Sequence, residues 1–215
     1  MIQKDSPQPG LTKSTRLRLL VTLVAIAGFT AIGPPEKTLG ANARLVYLHG
    51  VWVWTALAAF MAAGMAGVWG LITHREALQR WSRSLGRTGL IFWITYLPIS
   101  LWAMETNWNG LFLAEPRWRL AVIFAIGGLL LQAGLSLVDR PAWASAANLV
   151  YLLVLLLALQ TTENVMHPPG PILHSEAQRI QLHFAVLLGL TLAAGWQIAR
   201  WWQHFESPGV QTRSH

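Results

Sequence analysis

Six apolar stretches, separated by polar or proline-rich breaks, organise this chain. About 20 apolar residues cross a bilayer as a helix, and the qualifying windows are 17–32, 45–72, 88–104, 120–138, 144–160 and 180–201. The first is short. It follows Arg16 and Arg18, however, and stops at Gly33-Pro34-Pro35, where two prolines forbid further helix. That tripeptide is also a poor cleavage site, so the first helix is expected to be a retained span. The pattern predicts an all-α, polytopic membrane protein with six transmembrane helices over residues 17–202. Polar tails occupy 1–16 and 203–215, and no internal repeat is visible.

Composition agrees, and charge adds a direction. Only 12% of the 215 residues are charged, against about 25% in an ordinary soluble domain. Cysteine is absent, which removes disulfides, thiolate nucleophiles and cysteine-held metal clusters. The net charge of +7 is distributed unevenly. Alternating the six spans puts eleven basic and four acidic residues on one side, and five of each on the other. Lysine and arginine mark the cytoplasmic side, so both termini are expected in the cytoplasm, with the chain in the cell's inner (plasma) membrane. Topology absorbs the whole positive excess. Lipid is the expected partner, and nucleic acid is not needed. His49 and the segments 105–119 and 163–179 then fall on the outer face, while inner loops such as 74–87 read as basic connectors.

Two histidines at that outer face carry the candidate chemistry. Imidazole is a common metal ligand, and ionisable groups near membrane spans are functional suspects. His49 lies about one turn inside the second span, with Trp52 and Val53 at i+3 and i+4 on its face. The same residues also read as an interfacial histidine among the belt aromatics Tyr47, Trp52 and Trp54. His167 precedes Pro168-Pro169-Gly170-Pro171, a run that cannot be helical. Such a loop either holds the side chain at a fixed height or leaves it as a solvated histidine. Converging on one pocket, the pair would hold an iron porphyrin from both faces. His174 reads as solvated. His183 shares a helical face with Glu176 and Arg179 and reads as a supporting residue or a rival ligand.

Between the third and fourth spans, Trp102 to Trp118 is too polar to cross and rich in Trp, Phe and Leu. It reads as an amphipathic element on the outer surface or as an interfacial re-entry with belt tryptophans. Glu115 and Arg117 can pair with each other, or Arg117 and Arg119 with ligand carboxylates, for which arginine has the better fork. Pro98 and the small residues Ala62 to Gly67 would also suit the broken or closely packed helix of a transporter. Gln132 and Asn148, the only amides well inside spans, form no evident charged relay. No side-chain nucleophile or acid–base pair stands out, so the chain reads as a carrier rather than an enzyme.

These residues resemble the CcmC/CcsA haem-handling family of cytochrome c maturation, most closely its six-span CcmC branch. Arg44-Leu45-Val46-Tyr47-Leu48-His49 is similar to that family's motif ending in its first outer histidine, and Asn164-Val165-Met166-His167 to the motif around the second. The likeness runs from about Arg44 to Arg200. In the central loop, Trp102 and Trp108 match early tryptophans of the family, Phe112 stands at a tryptophan position, and Glu115-Pro116-Arg117 matches its acidic–variable–Arg ending. Leu111 and Ala114 replace two further tryptophans. The resemblance implies haem b ligated axially by His49 and His167, with Trp108, Phe112 and Trp118 along the macrocycle edge, Trp52 beneath, and Arg117 at a propionate. It further implies haem presentation at the outer face for cytochrome c maturation. The partners would be a haem chaperone and other maturation proteins, including ATP-binding-cassette (ABC transporter) subunits. The loop's missing indoles keep a second reading open: a haem-binding or structural subunit of a respiratory or photosynthetic membrane complex.

Overall fold

The computed structural model describes residues 13–163, 165, 172 and 177–205. They form six α-helices: α1 (Lys13–Ala31), α2 (Ala43–Ile72), α3 (Glu76–Trp108), α4 (Pro116–Val138), α5 (Pro141–Thr161) and α6 (Gln178–Phe205). Among the described residues no β-strand occurs, only one isolated bridge between Glu36 and Gly40. Every helix but α3 is long and apolar enough to cross a membrane, which makes the chain a multi-pass membrane protein by length and composition. Its surface agrees: Ile123, Leu130 and Leu137 on α4 and Leu157 on α5 are all more than half exposed. Apolar patches of that extent are not left facing water.

Five apolar windows match their helices to within a few residues, and α3 departs. The 74–87 segment, expected as a connector, is mostly the first turns of α3. The true connection is Thr73–Arg75, turning through His74 at φ 53°. At its other end α3 runs on to Trp108, absorbing half of the expected outer amphipathic element and leaving a short turn over 109–115. The 33 residues of α3 span about 50 Å, well beyond a hydrocarbon core of about 30 Å. The excess is stabilised by polar anchors that hydropathy cannot reveal. Arg83, buried, reaches Asp139 at 2.7 Å, Ser84 accepts from Gln203, and Arg87 lies over the Trp202 ring at 5.0 Å. Pro98 lies on an exposed face inside α3, and the helix continues through it.

α2 and α3 form the central hairpin, with α5 and α6 against both, α1 against α6 and α2, and α4 against α3 and α5. Contacts sort into two ends. Gln79 to the Gly70 carbonyl, Arg83 to Asp139 and Gln203 to Ser84 mark the end where the basic residues collect. Asn42 to the Thr106 carbonyl and Arg117 to the Leu159 carbonyl mark the other.

Near the basic end α2 and α5 approach closely. A Cβ on Gly64 would lie 2.7 Å from Leu152, and one on Gly67 3.0 Å from the Ser145 carbonyl. The small residues of this stretch therefore serve close packing. The two intramembrane amides also meet here: Gln132 donates to Asn148 Oδ1 at 3.0 Å, and Asn148 donates to the Ser82 carbonyl at 2.9 Å. These bonds tie α3, α4 and α5 together in one register.

Candidate functional site

A cavity of about 330 Å³ opens at the other end, within the usual size range of small-molecule sites. All the helices but α1 contribute to its wall. α2 supplies Val46, His49, Val53, Trp54 and Leu57, and α3 supplies Trp93, Tyr96, Ser100 and Met104. Arg117, Trp118 and Leu120 come from α4, with the preceding Glu115; Leu159 comes from α5 and Phe184 from α6. Ile172, from the connection between α5 and α6, closes one side.

The helical period explains who reaches it. Positions i+3 and i+4 lie about 60° to one side and 40° to the other of position i. Val53 therefore stays beside His49 on the cavity wall. Trp52 turns toward α3, donates from Nε1 to Thr95 Oγ1 at 2.9 Å and packs against Phe92. The structure thus does not bring Trp52 into the pocket. The His49 ring, half-buried, meets Tyr96 edge-on with centroids 5.4 Å apart. The other polar members of the Arg44–His49 motif act structurally. Arg44 Nε donates to the Gly33 carbonyl at 2.9 Å and Tyr47 OH to the Pro34 carbonyl at 3.2 Å, clasping the α1–α2 connection.

Glu115 and Arg117 share the cavity and form no ion pair with each other. Glu115 is buried and caps α4, its Oε2 accepting from the Trp118 amide at 2.6 Å. Arg117 donates from Nη2 to the Leu159 carbonyl at 3.4 Å, a long bond, and its buried Nε has no partner among the described residues. That guanidinium is the cavity's available cationic fork. Arg119 is exposed and outside the wall.

Of the residues nominated from sequence, His49, Arg117 and Trp118 converge on the cavity. Trp108 and Phe112 are partly exposed, at 37% and 42%, and do not line it. His167 and His174 lie outside the described residues. His183 is buried away from the cavity, stacked on Phe29 at 4.4 Å and tilted against Tyr47, while its neighbour Phe184 forms part of the wall. Sequence reasoning missed the α3 wall. Its signal was present: Trp93, Tyr96, Ser100 and Met104 recur at spacings of three and four, one face of a helix.

Comparisons of the chain with family models, with curated proteins and with solved structures found no match to any of them.

Proposed function

We propose that this chain is a membrane haem-binding protein that holds haem b at the outer face and presents it for cytochrome c maturation. The supporting observation is the convergence of His49, Arg117 and Trp118, from two helices remote in sequence, on one aromatic-walled cavity. The residues present fit the group. An imidazole and a guanidinium with an unused donor stand on a mainly apolar wall that also carries Glu115 and Ser100, and Trp93, Trp118 and Tyr96 offer ring surfaces. Haem, when bound, would supply an iron for imidazole and propionates for arginine. His49 is the proximal ligand in this reading, and His167 is the second through the family resemblance alone. In this reading all six helices cross, α3 included, with both termini cytoplasmic; the basic residues at one end of the bundle support that orientation. The named partners, a haem chaperone and other maturation proteins, belong to the same reading.

Titrating haemin into the purified protein tests it. The expected result is a saturable, near-stoichiometric Soret band. His49→Ala should shift that band and weaken binding at least as much as a lost buried hydrogen-bonding group, about tenfold or more. A spectrum and affinity unchanged in the His49→Ala, His167→Ala double variant refute the assignment. Stable co-isolation with oxidoreductase subunits would instead select the respiratory-subunit reading.

A further inference from the structure

Trp54 belongs to two surfaces at once. It heads the exposed stripe of α2, followed by Met61, Met65, Trp69 and Ile72 at helical spacing, each at least 40% exposed. In a membrane-spanning helix that stripe faces lipid. Yet Trp54 also lines the cavity, with Leu57 one turn deeper and Leu159 across from it on α5. Nearer the basic end α2 and α5 are in tight contact at Gly64 and Gly67. Roughly 15 Å of helix from Gly64, Trp54 of α2 and Leu159 of α5 stand on the cavity wall instead.

We propose that the cavity opens sideways into the bilayer between α2 and α5, that Trp54 is its gate, and that its ligand is an anionic amphiphile arriving from the leaflet. The wall matches such a molecule from end to end. Trp54, Leu57 and Leu120 receive the apolar body. Arg117, tethered at the α5 terminus by the Leu159 carbonyl, meets the anionic group where the helices end. Glu115, on the same wall, is turned to the α4 terminus, where its Oε2 accepts from the Trp118 amide, and it forms no ion pair with Arg117. An indole suits the gate: it is bulky and at home in the membrane interface. The inference deepens the haem reading, since haem is an amphiphile of this class, but its geometry stands without haem.

The absence of native cysteine makes the test clean. Trp54→Cys and, separately, Val46→Cys (a wall position near the start of α2) are labelled with a bulky maleimide and reconstituted into vesicles whose bilayer carries haemin. The label at position 54 should slow Soret growth about tenfold, equivalent to about 1.4 kcal/mol of added barrier, and more than the label at 46. Equal slowing, or greater slowing at 46, overturns the lateral gate. Should the unlabelled protein bind no haemin, the haem reading fails and a second probe decides the gate. Bimane on Ser100→Cys, inside the cavity, should be quenched by doxyl-labelled stearate in the bilayer. Quenching no stronger than that of bimane on Ser145→Cys, buried at the tight α2–α5 contact, overturns it.

Discussion

At its basic end the bundle brings helix backbones together and bonds their polar groups. At its cavity end large side chains from the same helices surround an open space. Gly64, Gly67 and Gly86 let α2, α3 and α5 touch, and Asn148 is held by both Ser82 and Gln132. Toward the other end Trp54, Leu57, Trp93 and Leu159 stand around a void. Between helices in lipid, close packing and hydrogen bonds supply cohesion. The basic end should therefore carry most of the stability. The cavity end trades cohesion for space to bind.

The sharpest test replaces Gly86 with leucine. A Cβ there would lie 2.6 Å from the Asn148 amide, so the side chain must expel Asn148 from its bonds. Overpacking and lost hydrogen bonds each typically cost up to about 3 kcal/mol. A destabilisation of about 3 kcal/mol is expected for Gly86→Leu, measured by SDS unfolding in mixed micelles. A loss below about 1 kcal/mol would break the contrast between the ends.

The matching change at the cavity is Val53→Phe. Val53 faces the void, so the larger ring fills space instead of displacing neighbours. Stability should stay within about 1 kcal/mol of the parent or rise, while haemin binding falls sharply. A loss as large as that of Gly86→Leu would mean that the cavity end is as tightly packed as the basic end.

Much of the helical frame was legible in the sequence. Proline, glycine and arginine punctuation located five helices closely, because apolar length is what a bilayer selects. α3 was misjudged at both ends because its extensions are polar and are held by partners far away in the chain, Asp139 and Gln203 among them. Spacing brought His49 and Val53 to one surface. It could not tell which way Trp52 would turn, since i+3 and i+4 fall on opposite flanks and the choice rests on Thr95 of another helix. Phe184 gave no signal at all, as its place on the wall depends on how α6 docks against Gly50.

A smaller effect is expected at the entrance to α4. Glu115 is the N-cap of that helix, and loss of a capping side chain costs about 1 kcal/mol. Glu115→Ala should lower the unfolding free energy by about that amount, and Glu115→Gln, which keeps an acceptor, by less. Equal losses would show that the carboxylate's charge matters more than its bond to the Trp118 amide.

The slightest change belongs to the α1–α2 connection, which contacts neither the cavity nor the tight contacts. Glu36 Oε2 accepts from the Leu39 amide at 3.0 Å and the Thr38 amide at 2.8 Å. Those bonds, the Leu39 amide foremost, hold its carboxyl below the ordinary value of 4.5. A carboxylate stabilised in the folded loop gives its full contribution above that ordinary value and loses it as pH falls through the lowered one. Amide exchange at Thr38 and Leu39 should therefore show protection, relative to the intrinsic rate at each pH, that is steady near neutrality and declines only in acid. Glu36→Gln should flatten that decline and leave unfolding of the bundle unaltered. If acid instead loosens the cavity wall and this loop together, the connection is mechanically coupled to the site through the Arg44 and Tyr47 clasp, and the two-ended picture needs a third region.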